Sequence, residues 1–291
     1  MRSSFTIGLA LAAVAAATPA PVAATGSYDD CSGFISSLPA VISTPGRWCV
    51  DRNLTTGITG GHAITIAGDG VIIDCNDFRL VRGPALPSNT ANAVFSNGRN
   101  AATVRNCYIQ GFYRGTYLSG GTGHLVEHNQ FFRNYHIGIR ADGAGTRIVD
   151  NRLDDTGHST VATEVHGIQA RSSAQVVGNF IHGVLPNPTL AGTALHGITV
   201  INNASGTVID NVVTGFGDGG EPPMVRGILA ANPGYLVIRR NDVSGDDGLA
   251  SVGIACDSGK PVAAANTVTR FTTGVDTCRD AGDNIVQPVL N

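Results

Sequence analysis

Lysine occurs once in the 291 residues, at Lys260, and charged residues of all kinds make up only 14% of the chain. Nearly all positive charge therefore sits on Arg. With a net charge of −3 and no Lys-rich tail, a basic nucleic-acid binder is excluded. Aromatic residues are scarce at 6%, and the apolar residues follow no heptad pattern, so helical bundles and coiled coils are poor fits. No CxxC or CxH spacing is present, which removes the usual zinc frames. Beyond the first segment no apolar run is long enough for a membrane helix, so no transmembrane segment is expected. What remains is 42% hydrophobic and holds 38 Gly: a turn-dense chain of small residues with enough apolar side chains to bury a core.

The first segment reads as an address. Arg2, the apolar run Phe5 to Ala17 and the small residues Ala20 to Ala24 are the three regions of a secretory signal peptide, with cleavage expected after Ala24. The mature protein is then secreted or periplasmic. Outside the cytosol an even cysteine count points to disulfides, and all six cysteines lie after the signal.

A phrase of apolar, any, any, Asn, any, apolar recurs around Asn106, Asn129, Asn151, Asn179, Asn211, Asn241 and Asn266, with a variant at Asp74, its markers 22 to 32 residues apart. A second phrase, Gly then usually Ile, follows each time, as in Gly138-Ile139, Gly167-Ile168, Gly197-Ile198, Gly227-Ile228 and Gly253-Ile254. Each period thus supplies three short apolar pieces. Three strands per period over about eight turns specify an all-β, right-handed parallel β-helix, a solenoid of three parallel sheets whose equivalent residues stack roughly 4.8 Å apart. The expected inward columns are Val126, Ile148, Val176, Val208, Ile238; then Phe131, Leu153, Ile181, Val213, Val243; then Ile139, Ile168, Ile198, Ile228, Ile254. Asn and Gly are expected at corners, where both accept left-handed backbone, with the Asn amides bonded in a ladder. A β-sandwich leaves the fixed Asn marker unexplained. The chain divides into residues 1–24 (signal), 25–65 (N-terminal cap and first turn), 66–285 (β-helix) and 286–291 (C-terminal tail).

The repeat also places the cysteines. Cys75 follows Asp74 as Cys107 follows Asn106, and Cys256 and Cys278 follow their Gly phrases at nearly equal offsets. Disulfides Cys75–Cys107 and Cys256–Cys278 follow, and Cys31–Cys49 by elimination.

The stretches Pro45-Gly46-Arg47-Trp48-Cys49-Val50, Asn53-Leu54, Ala63-Ile64-Thr65-Ile66 and Val71-Ile72-Ile73-Asp74-Cys75-Asn76 resemble the opening turns of bacterial secreted β-helix proteins of the pectin-lyase-like superfamily. That resemblance runs to about residue 285 and implies the fold. It implies no one chemistry, because the superfamily includes lyases, hydrolases, epimerases, tailspikes and adhesins. The hydrolase signature is incomplete here: Asp154-Asp155 and Asp246-Asp247 are present, but each His-Gly pair is preceded by Val165, Leu195 or Ile181, and Arg147-Ile148 is followed by Val149. The lyase motif Arg-x-Pro-x-x-Arg and the epimerase motif Asp-Pro-His-Asp are absent.

Candidate chemistry lies where the period lengthens, at residues 154–166, 183–196, 215–226 and 245–252, loops expected to stack on one side of the coil. The position before each Gly phrase puts His166, His196 and Arg226 in one column, with Glu164 two residues before His166. Stacked cations lower one another's proton affinity, favouring neutral imidazoles. These four are the candidate catalytic residues, a base and a carboxylate neutraliser for β-elimination from a uronate. Tyr117, Arg140 and Gln169 form a neighbouring outward column for sugar contacts. The plain alternative is a row of solvated corners. Asp155, His158, Glu164 and His166 carry ligand atoms but fit no metal spacing, and Gly120 to His124 begins like a calcium-binding nonapeptide without its Asp. No cofactor or metal is expected, and calcium has no motif. The expected partner is an acidic extracellular polysaccharide, bound or processed by elimination; the alternative is a non-catalytic surface protein binding glycan or protein. Nothing in the sequence sets the oligomeric state.

Overall fold

The computed structural model describes residues 30–187, 189–190, 192–201, 205–217, 224–232, 234–246 and 251–289. The signal-peptide reading lies outside them, as do parts of three of the four long loops. Every paired strand among the described residues is parallel, in three sheets of 11, 10 and 10 strands. Sheet A runs from Gly33–Ile35 to Arg279–Asp280, sheet B from Ala40–Ile42 to Thr273–Asp276, and sheet C from Leu54–Thr56 to Ile285–Gln287. The chain visits A, C and B in turn along the repeats, one strand on each per coil. The eight repeat-marked turns are continued at both ends by strands of residues 33–66 and 279–287, which pair into the same sheets.

The three inward columns are in register as the periodicity requires. Val126 to Ile238 align on sheet A, Phe131 to Val243 on sheet C and Ile139 to Ile254 on sheet B. All fifteen are at most 1% exposed. At roughly 1.5–3 kcal/mol for each fully buried Val, Leu, Ile or Phe, these columns are the main source of cohesion between turns.

The corners hold by other means than expected. Asn129, Asn151, Asn179, Asn211, Asn241 and Asn266 are not left-handed; the residue before each one is, with φ of 54° at His128, 53° at Asp150, 67° at Gly178, 58° at Asp210, 54° at Arg240 and 53° at Ala265. Asn is needed for its buried amide. Each Nδ2 donates to the Oδ1 of the next Asn at 2.9–3.0 Å, from Asn129 through Asn266 to Asn284, and each Oδ1 also accepts the backbone N–H of the preceding Asn. Asn106 is outside this file: its φ is 53°, and Cys107 takes the ladder position.

The glycines of the second phrase are likewise not left-handed corners. Gly138, Gly167, Gly197, Gly227 and Gly253 lie inside sheet B strands, and a Cβ on Gly197 would stand 2.2 Å from Val213 Cγ1 and 2.6 Å from the Gly227 carbonyl oxygen. Side chains of sheet C fill that space on every turn, so a methyl is excluded by packing.

The disulfides are Cys31–Cys49, Cys75–Cys107 and Cys256–Cys278, as the repeat placed them, with Cα separations of 5.8, 4.7 and 5.1 Å. Three disulfides suit an oxidising, extracellular environment. No helix among the described residues is long and apolar enough to cross a membrane.

Candidate functional site

The outer face of sheet B carries two files of side chains, because residues before and after each Gly-Ile pair point away from the core. The first file reads His62, Asn92, Arg114, Ile137, His166, His196, Arg226. The second reads Phe95, Tyr117, Arg140, Gln169, Thr199, Leu229. His166, His196 and Arg226 thus occupy adjacent positions on three turns, and Tyr117, Arg140 and Gln169 occupy three turns of the neighbouring file.

The histidines pack as a stack. Ring centroids of His166 and His196 are 4.9 Å apart with planes at 20°, and His136, on the preceding turn, lies 6.4 Å from His166. Tyr113 covers His136 at 4.5 Å. Although they stand on an outer face, His166 and His196 are only 2% and 3% exposed. Burial pushes His136 and His196 down to about 3 and lowers His166 as well, the neighbouring cations adding to the effect for His136 and His196. The row is therefore neutral at ordinary pH.

Hydrogen bonds orient its centre. His166 Nδ1 lies 2.9 Å from the Thr199 hydroxyl, and Nε2 lies 3.3 Å from Glu164 Oε2. A proton on Nε2 serves Glu164, leaving Nδ1 to accept from Thr199. The hydrogen bond from His166 is the main reason Glu164 is held down at about 2. Gln169 Nε2 also faces His166 Nε2 at 3.3 Å, while Gln169 Oε1 is buried with no partner. Turning the amide over lets its oxygen accept and frees its NH2 to donate outward.

Other buried polar atoms around the stack share that unsatisfied state: His136 Nδ1, His196 Nδ1 and Arg114 Nε have no hydrogen-bond partner among the described residues. Native interiors leave few such atoms, and a concentration on one face marks a place built for water or a ligand. The charge there is mostly positive. Arg140 and Arg171 share Asp142, at 3.0 and 3.5 Å, whereas neither Arg114 nor Arg226 has a carboxylate within ion-pair distance among the described residues. Tyr117 is held between Arg140 and Arg114, whose guanidinium carbons lie 4.6 and 5.1 Å from its ring centre.

The sequence reading missed His136, Arg114 and Tyr113. Arg114-Gly115 has the same frame as His196-Gly197, so the signal was present for Arg114; Tyr113 falls where the frame puts the buried Leu195, and His136 sits one position off and is brought in only by the local strand geometry. Of the metal alternative, Glu164 and His166 do touch, but Asp155 lies on sheet C facing Arg133, and His158 is exposed. Among the described residues no three His, Cys, Asp or Glu side chains are placed to hold a metal ion.

The family model for the right-handed β-helix region matches residues 41–187, half of the chain. The chain belongs to the right-handed β-helix family. No curated protein matches it. Among solved structures, XylC in complex with xylose is 14% identical with a TM-score of 0.48, covering 79% of this chain and 38% of XylC. A mutant tailspike protein of E. coli bacteriophage HK620 in complex with a pentasaccharide is 11% identical with a TM-score of 0.45, covering 85% of this chain and 59% of the tailspike. The chain therefore spans less than two thirds of either, and the likeness is one of fold.

Proposed function

We propose that this right-handed β-helix protein is exported by its N-terminal segment and binds an acidic polysaccharide along the outer face of sheet B. The observation that carries this reading is the set of buried, unpartnered polar atoms on Arg114, His136, Gln169 and His196, on a face where neither Arg114 nor Arg226 has a carboxylate within ion-pair distance among the described residues. A uronate chain supplies both complements: hydroxyls for the neutral imidazoles and the amide, carboxylates for the arginines. Tyr117 and Arg140 lie in the neighbouring file on the same two turns as Arg114 and His136, and widen the strip there.

Elimination is the second reading. Glu164 against His166, with Arg226 one register step beyond His196, provides a carboxylate, imidazoles and a charge neutraliser on one face. Burial lowers the proton affinity of both His166 and His196, which weakens either as a base for a carbon acid, so catalysis requires substrate to restore basicity, at His166 through its Glu164 partner.

Affinity electrophoresis in gels cast with pectate, alginate or hyaluronate separates these readings when combined with ultraviolet absorbance of unsaturated uronates. Retention without absorbance, lost on Arg226→Gln, supports recognition. Absorbance lost on His166→Gln supports elimination. Neither retention nor absorbance with any acidic polymer overturns both.

A further inference from the structure

Sheet C presents a different surface, with aromatic rings and balanced charge. Its outer file reads Arg79, Tyr108, Gln130, Arg152, Phe180 on five successive turns, and the file two residues along reads Gln110, Phe132, Asp154, His182. Three half-buried rings each carry a guanidinium: Arg79 lies 4.5 Å from the Tyr108 centre, Arg133 4.8 Å from Phe132 and Arg152 4.7 Å from Phe180. Tyr108 and Phe132 are themselves 6.4 Å apart. Rings fixed in this way cost little further entropy on binding.

At one end of the strip is a cavity of about 220 Å³ lined by Asp77, Arg79, Cys107, Tyr108, His128 and Gln130. That is below the roughly 300–1,000 Å³ of sites for drug-sized ligands and cofactors, and suits a single sugar ring. Among the described residues, the Asp77 carboxylate, the Tyr108 hydroxyl and the Gln130 amide form no side-chain hydrogen bond, so acceptors and donors of both kinds face the space. A polyhydroxylated ligand needs such a mixture.

Charge decides between sugar classes. Arg152 is neutralised by Asp154 at 2.7 Å and Arg133 faces Asp155 at 3.7 Å, while Asp77 offsets Arg79 in the cavity. His128 stands between Glu127 and Asp150, at 3.8 and 3.7 Å, which repel an anion. We propose that this face binds a neutral oligosaccharide, with one sugar ring in the Tyr108 cavity and the following ones along Phe132 and Phe180. Tyr108 and Phe180 stand three strand intervals apart, roughly 14 Å, enough for a short oligosaccharide laid parallel to the coil axis. This site is separate from the one on sheet B and takes an uncharged ligand where sheet B takes an anionic one.

Isothermal titration of the full mature chain with cellohexaose, mannohexaose, galactohexaose and xylohexaose tests it. Binding of at least one hexasaccharide is expected, weakened about tenfold or more by Tyr108→Ala and several-fold by Gln130→Ala. Gln130 is exposed, so that variant keeps the fold. Arg226→Gln leaves this binding unchanged. The proposal is overturned if no hexasaccharide binds, if both sheet C variants bind as the parent does, or if Arg226→Gln alone removes binding.

Discussion

Cys107 donates its backbone N–H to the Asn129 side-chain oxygen at 3.0 Å, taking the place an asparagine holds on every later turn. Its own side chain is committed to Cys75, so the amide file stops where a covalent link begins. A turn earlier, the buried Asp74 carboxylate receives Arg47 at 2.9 Å, Arg105 at 2.8 Å and the Asn106 amide at 3.1 Å, a charged substitute for the missing asparagine.

Interrupting the file mid-chain is therefore expected to be costly. Asn179→Ala removes hydrogen bonds to Asn151, Asn211, Ile148 and Val177 and strands the Asn151 N–H inside the protein. The expected loss is about 3 kcal/mol or more, read from urea unfolding followed by circular dichroism. A change below about 1 kcal/mol removes the ladder from the account of stability.

Gly197→Ala tests the packing explanation for the second phrase. The added methyl meets Val213 at 2.2 Å, and overpacking of this sort costs about 1–3 kcal/mol. Pairing it with Val213→Ala relieves one of the two clashes, so the double variant is expected to lose less than the sum of the single losses in a double-mutant cycle. Strict additivity contradicts the steric reading.

The histidine row makes stability depend on pH in a defined direction. His136 and His196 are held near 3 in the folded chain, against about 6.5 when unfolded, so the unfolded chain takes up protons first as pH falls. Their contribution is complete above about pH 6.5 and is lost progressively down to about 3. Melting temperature is expected to fall across that window, and His196→Asn to flatten the fall. A parent profile flat from pH 7 to about 4 contradicts the burial of these rings.

The same neutrality governs binding. If the sheet B face holds an acidic chain through arginines and neutral imidazoles, affinity changes little between about pH 5 and 8 and falls with added salt. Arg114→Gln and Arg226→Gln each lower it about tenfold. A steep rise in affinity below about pH 6.5, measured by electrophoresis in buffers of fixed ionic strength, implies protonated histidines instead.

The parts of this molecule legible in the sequence are those that repeat on one side chain per turn. Fifteen inward residues and three disulfides followed from spacing, because a solenoid converts sequence period directly into spatial register. The reasons behind the markers did not follow. Asn tolerates left-handed backbone and Gly favours it, yet the left-handed residues are the unremarkable His128, Asp150 and Arg240, and Gly167 or Gly197 answers to a side chain on another sheet. Asn106 imitated the marker one residue early, since a periodic pattern tolerates a shift of one where Cys107 supplies the backbone donor. His166, His196 and Arg226 were placed together correctly by register, whereas His136 lies off the period, and the near-complete burial of an outward row depends on what packs over it.

The amide file also has a polarity. Every asparagine from Asn129 to Asn266 donates toward the C-terminal end and accepts from the N-terminal side, so the small dipoles of seven side chains, Asn284 included, add head to tail along the coil. Their positive pole ends at Asn284, whose NH2 meets the Asp280 carboxylate at 2.6 Å. An acid at that pole does for a column of side chains what an acidic residue does at the first turn of an α-helix. The last rung is thereby matched in charge as well as in shape, and a file of side chains gives the coil an axial dipole of the kind a helix draws from its backbone.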